Sequence, residues 1–404
     1  MSQDQVKGFV AAGFERVQEQ FLEHLRSGEE RGAALCVTKD QEIVVNIWGG
    51  YQDKAKQQPW QEDTLCLMYS VTKALAATVM MKLHEQGRFT YEMPVSEIWP
   101  EFGQAGKEDM TIKTLLSHRG GLPALDDVLC LEEIFEPSKQ AELVARLASQ
   151  KPLWTPGEGQ GYHALTYGLY VHELYKRLED QPFGAFFREH IAEPLGADVW
   201  VGVDDTLAPR IAEVEPPSTL KRLAGMLPHI IKGGTTEANV GRSFFKRGSI
   251  SKRALLAIKS ERGGPEAYNL PDVRKHPVLW AGGIGSAQGI ARIFGMLAND
   301  GQFDDVKIFE EGFLRPVYQR EGWSTQDAVL GKPLGWNRGF LKEEVGMFSN
   351  NEESFGHSGL GGALGWADPV NRVSIGYITG SLDWRVRSPR CLRLCDAISS
   401  CVEG

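Results

Sequence analysis

Ser70 and Lys73 stand three residues apart, close enough on a helix for the amine to meet the hydroxyl on one face. A serine beside a lysine that can give up its proton is a minimal nucleophile-and-base arrangement for acyl transfer. Ser-x-x-Lys is a short pattern, and a chain of this composition yields about one match by chance. Four occur: Ser70/Lys73, Ser218/Lys221, Ser243/Lys246 and Ser249/Lys252. Spacing alone selects none of them, so context must. The last three lie in a polar stretch where a lysine stays solvated and protonated. Ser70 instead follows an extended run at 65–69 and opens a segment, 71–83, that is apolar nearly all the way round. A helix of that kind is buried. Burial disfavours the ammonium form, so Lys73 is expected to accept the Ser70 proton. The helix start also offers the Ser70 N–H and the positive end of its dipole to a developing oxyanion.

A Ser–Lys pair benefits from a second group that can protonate the leaving atom. Tyr162 follows the Gly-rich turn Pro156-Gly157-Glu158-Gly159-Gln160-Gly161 and leads into a helix. Taken alone, a loop tyrosine is more often packing than catalysis. A third element, Gly356-His357-Ser358-Gly359-Leu360-Gly361-Gly362, enters a strand, and its small residues allow close approach to a strand edge. The Leu360 N–H is the candidate second oxyanion donor. His357 either binds substrate, tunes the Lys73–Tyr162 pair, or is a solvated histidine in a tight turn. The rival catalytic patterns Gly-x-Ser-x-Gly, HExxH and the P-loop do not occur.

The elements that must position these residues are legible in outline. Val6, Phe9, Val10, Phe14, Val17, Phe21 and Leu25 recur at helical spacing and predict one amphipathic helix. Residues 33–37 and 43–48 read as a hairpin. Residues 362–366 and 373–378 read as another, around Asp368-Pro369-Val370-Asn371. Helical segments punctuated by prolines fill 90–200, and 203–275 reads as loops and short helices over the site's mouth. Residues 281–286 lead into a helix at 290–297, and a last helix runs from about Arg390 to Ser400. Strands at both ends with helices between predict an antiparallel sheet built from the two termini, carrying an inserted helical lobe.

Composition narrows the partners. The chain has 404 residues and a net charge of −9, which disfavours nucleic acid and anionic membranes. Its opening residues do not read as a signal peptide. The six cysteines are scattered without a CxxC pair, which predicts reduced thiols in a cytoplasmic setting. No zinc is implied.

Ser70-Val71-Thr72-Lys73, then Tyr162 after a Pro-Gly turn, then His357-Ser358-Gly359 near the end, resembles the serine β-lactamase and penicillin-binding-protein superfamily. Within it the chain is most similar to the β-lactamase-related (family VIII) carboxylesterases. The stretches 115–123 and 280–286 resemble structural landmarks of that family and receive no chemical role. The resemblance implies an α/β (α+β) fold over 1–404 as one domain, with a sheet lobe of about 1–69 and 276–404 and a helical lobe of about 70–275. It implies Ser70 as nucleophile, Lys73 as base, Tyr162 as catalytic tyrosine and His357-Ser358-Gly359 as the substrate strand, with Leu360 N–H at the oxyanion. Two positions depart from the lactamase pattern. Ala164 stands where an asparagine would bind a β-lactam side-chain amide, and His357 replaces a lysine that would meet the β-lactam carboxylate. Both departures point to neutral, small-molecule esters, hydrolysed without metal or organic cofactor. Acyl transfer to an alcohol or amine, weak β-lactamase or peptidase activity, and a silent binding homologue are the alternatives.

Overall fold

A computed structural model describes residues 6–320 and 322–404. Two hairpins, one from each end of the chain, lie side by side at its centre. In the first, strands β2 (Gly32–Lys39) and β3 (Glu42–Gly50) turn through Asp40 and Gln41, both with positive φ, 51° and 72°. That is the two-residue loop whose twist suits a hairpin. In the second, β7 (Leu364–Asp368) and β8 (Val373–Thr379) are joined by a turn that Asp368 holds, its carboxylate accepting from the N–H groups of Val370 and Asn371 at 3.0 and 3.1 Å.

With β1 (Lys7–Val10), β4 (Gly335–Asn337), β5 (Phe340–Lys342) and β6 (Phe355–Ser358), these strands form one eight-stranded antiparallel sheet, ordered β1-β3-β2-β8-β7-β6-β5-β4. Alternate residues of β2 serve opposite faces. Leu35 and Val37 pack with Val17, Phe21 and Leu25 of helix α1 (Glu15–Arg26) and with Leu394 and Ile398 of the C-terminal helix Pro389–Glu403. Ala34 and Cys36 join the larger core on the other face, with Ile290 and Phe294 of the helix Ala287–Ala298. Both sheet faces are thus covered by helices. Among the described residues no helix is long and apolar enough to cross a membrane.

Two expectations change. The helical spacing of Val6, Phe9 and Val10 does not make a helix: Lys7–Val10 pairs with β3 as an edge strand, and α1 begins only at Glu15. An unpaired β3 edge offers a row of hydrogen bonds, and Lys7–Val10 takes them while Phe9 stays 54 % exposed. The 203–275 stretch is also more regular than expected, holding a fourteen-residue helix, Thr219–Lys232, packed against a second, Thr236–Phe245.

Candidate active site

Helix α2 (Val71–Glu85) carries the nucleophile candidate at its head and is buried on every face, as its residues dictate. It starts from a strained turn. Tyr69 has φ 48°, a left-handed conformation that costs a bulky non-glycine residue about 1 kcal/mol or more. Several bonds hold it there: Tyr69 OH donates to Pro265 O (3.2 Å), and Thr72 Oγ1 donates to Tyr69 O (2.5 Å) while accepting from Gly283 N (2.8 Å). Met68 N completes the clamp with a bond to Gly283 O at 2.9 Å. The short strand Gly283–Gly285, within the 280–286 stretch, thereby fixes the direction in which Ser70 leaves the chain.

The Ser70 side chain makes no capping bond to its own helix. Its Oγ lies 3.1 Å from Lys73 Nζ and 2.9 Å from Tyr162 OH. Lys73 is fully buried, and its second bond, 2.8 Å to the Trp280 carbonyl, orients the amine. Burial alone drives its pKa well below the ordinary lysine value. Tyr162 is pushed the other way, its phenol held neutral by burial with only a partial offset from the bond to Ser70.

Tyr162 is located by its surroundings rather than by its loop alone. Its ring stacks on Trp336 at 5.1 Å, and its backbone N–H donates to Asp327 Oδ1 at 3.1 Å. The same oxygen takes the N–H groups of Val329 and Leu330, both at 2.9 Å. His118, in the left-handed region at φ 57°, presses a buried ring against Tyr162, Tyr167 and Trp336. Leu122 N donates to His163 Nε2, so His163 carries its proton on Nδ1 and passes it toward His118 Nδ1, 3.2 Å away. Both rings are kept neutral by burial, His163 down to about 3.

The third expected element arrives on β6. His357 is buried, not solvated, and its Nδ1 donates to the Ser358 carbonyl at 2.7 Å. Burial first, then the nearby Lys73, lowers its pKa well below the ordinary range, so it presents a neutral ring with an unpartnered Nε2. Gly359 runs so close to the turn before α2 that a Cβ on it would stand 2.3 Å from the Met68 carbonyl, which explains the small residue. Leu360 follows, half exposed, at the start of a turn in which Gly361 has φ 83°. Arg390 holds that turn through the Gly361 carbonyl at 3.1 Å.

Ser70, Lys73 and Tyr162 therefore meet in one cluster, with the 357–360 strand end against the same turn. The sequence reading passed over Asp327, and it marked the stretches that hold His118 and Trp280 as landmarks without giving either a role. Asp327 could have been suspected as a polar residue in a tight turn and His118 as a histidine before a Gly-Gly turn; the Trp280 carbonyl acts through its backbone and leaves no side-chain signal. A cavity of about 690 Å³ bounded by Arg31, Trp384 and Arg390 contains none of the three clustered side chains.

A family model described as Beta-lactamase matches residues 14–393. The chain belongs to the β-lactamase family. Among curated relatives of this β-lactamase-family chain is the Esterase/beta-lactamase LipL of Mycobacterium tuberculosis, 30 % identical, with 87 % of this chain and 77 % of the relative covered. A crystal structure of a family VIII carboxylesterase superposes with a TM-score of 0.80 at 30 % identity, covering 98 % of this chain and all of that one. A penicillin-binding-protein homologue from Caulobacter crescentus gives 0.82, also at 30 % identity and over 98 % of this chain. The α/β fold with its large antiparallel sheet is the family's, and the chain is a serine hydrolase of the esterase/β-lactamase kind.

Proposed function

We propose that the protein hydrolyses small, neutral carboxylic esters through an acyl-enzyme on Ser70. What carries the reading is the pair of contacts to one oxygen, Lys73 Nζ at 3.1 Å and Tyr162 OH at 2.9 Å from Ser70 Oγ. A neutral Lys73 gives one N–H to the Trp280 carbonyl and turns its lone pair to the Ser70 hydroxyl. As Ser70 Oγ attacks the carbonyl carbon, its proton moves to Lys73 Nζ, and the carbonyl π electrons move onto oxygen. The oxyanion rests on the N–H groups of Ser70 and Leu360, each such donor supplying roughly 3 kcal/mol of transition-state stabilisation. Collapse breaks the ester C–O bond, and the proton returns by way of Tyr162 to the departing alkoxide. Water, activated by the same pair, then releases the acid and restores Ser70.

Neutral esters are favoured over β-lactams because His357, buried and uncharged, gives a substrate carboxylate no fixed cation, and Ala164 offers no amide. The test offers p-nitrophenyl esters of short and medium acyl chains and a chromogenic cephalosporin to wild type and Ser70→Ala. Ester turnover should fall on the order of 10⁴-fold or more in the variant. Undiminished turnover would sink the nucleophile assignment, and cephalosporin turnover above that of the esters would sink the substrate class.

A further inference from the structure

The helix Thr219–Lys232 is built inside out. A helix docked on a protein ordinarily buries its apolar stripe. Here Leu220, Leu223, Leu227 and Ile231, one face at i, i+3, i+7 and i+11, are 78, 60, 56 and 72 % exposed. The opposite face holds it to the protein: Gly225 and His229 lie against Trp384, and Met226 and Ile230 against Gly241 of the next helix. Phe245, which ends that next helix, is 82 % exposed.

Charge identifies what could cover this face. The whole chain is acidic at −9, yet residues 219–253 contain eight lysines and arginines and one acid, Glu237. Lys221, Arg222, Lys232, Lys246 and Arg247 are exposed beside the apolar stripe. An apolar stripe flanked by cations is the composition of a helix lying in the interface of an anionic bilayer. The overall charge that disfavoured such a surface is an average, and this segment departs from it.

Position gives the patch a use. Asn239 Nδ2 bonds the Gly331 carbonyl at 2.9 Å, and Gly331 N bonds the carbonyl of Asp327, the residue that holds Tyr162. On the other side Glu237 accepts from Val386 N at 3.2 Å, and Asp383 N bonds the carbonyl of Gly361 beside Leu360. The helix pair is thus tied to both the Tyr162 support and the Leu360 turn. We propose that helices Thr219–Lys232 and Thr236–Phe245 dock the protein on an anionic lipid surface and set the mouth of the Ser70 site against it. This extends the ester-hydrolase reading to esters presented at a bilayer, but the docking itself does not require catalysis.

The experiment is co-sedimentation with phosphatidylcholine vesicles, with and without phosphatidylglycerol, using the full chain, its Ser70→Ala variant, Leu223→Asp/Leu227→Asp and Lys221→Glu/Arg222→Glu. Circular dichroism and melting show that each variant is folded. Wild type and Ser70→Ala should bind the anionic vesicles alike, so failure of the catalytic reading leaves this result standing. Partitioning should drop at least tenfold in the leucine variant and about fivefold per charge removed in the basic variant, with binding weakened by salt. No binding to anionic vesicles, or equal binding to neutral ones, overturns the proposal. So does a dimer that the leucine variant abolishes without any vesicle binding, since a second copy would then cover the face.

Discussion

Ser70 and Ser218 both open helices and both have a lysine three residues on, yet the two sites have opposite characters. Ser218 Oγ accepts from Lys221 N at 3.2 Å, so the hydroxyl caps its helix, and Lys221 stands in solvent. Ser249 does the same with Lys252 N at 3.4 Å, while Ser243 turns back to the Val240 carbonyl. Serine followed by a helix is first of all a capping signal, which accounts for the matches at Ser218 and Ser249. At Ser70 the backbone is already helical, with φ −65° and ψ −9°, and the hydroxyl makes no capping bond. It is left to Lys73 and Tyr162 instead. The candidate nucleophile is a serine excused from capping, next to a lysine whose charged form burial disfavours.

The sharpest way to break the comparison is Lys73→Met. Ester kcat/KM should fall on the order of 10²–10⁴-fold, while thermal stability should rise. The sign follows from burial: the folded pKa of Lys73 lies below its unfolded value, so the unfolded chain binds the extra proton at pH values between the two. Native stability climbs with pH across that window, and the methionine variant should lose this slope in a pH series of melting curves. In wild type, kcat/KM should decline on the acid side as Lys73 takes up a proton and can no longer accept one from Ser70. A melting curve for Lys73→Met below that of wild type at neutral pH would mean that Lys73 is charged and paired.

Tyr162→Phe sharpens the picture at the next scale. The ring can keep its stack on Trp336, so the loss, roughly 10²-fold, should appear in kcat for esters with poor leaving groups and shrink for p-nitrophenol. A uniform loss across leaving groups would instead assign the hydroxyl to holding Ser70 in place. The smallest effect belongs to Ser218→Ala, which should cost about 1 kcal/mol in chemical denaturation and leave kcat/KM for soluble esters unchanged. A fall in kcat/KM there would end the distinction between the two serines.

Much of this was legible because the relevant signals are local. An apolar run with a lysine in its first turn declares its own burial, and two hairpins declare themselves through turn chemistry at Asp40-Gln41 and Asp368. What escaped depends on distant neighbours. Val6, Phe9 and Val10 have helical spacing, and only the free edge of β3 makes them a strand. The stripe Leu220, Leu223, Leu227 and Ile231 is diluted by Lys, Gly and Pro, so 203–275 read as loops and short helices. His118 and Asp327 gain meaning only once the fold brings them to Tyr162, from the sequence distances of 44 and 165 residues that separate Tyr162 from His118 and its Asp327 bond. Domain-scale charge hid the basic helix pair for the same reason that an average hides a local excess.

The near-contact of Gly359 with the Met68 carbonyl has a further consequence. On the proposed mechanism the nucleophile, base and tyrosine belong to segments packed beside the sheet, whereas Leu360, the proposed second oxyanion donor, opens the turn that follows strand β6. On that reading activity depends on a seam rather than on either wall. Warming that opens this seam by a fraction of an ångström would silence the enzyme while every strand and helix stays intact, so inactivation should come at a lower temperature than melting.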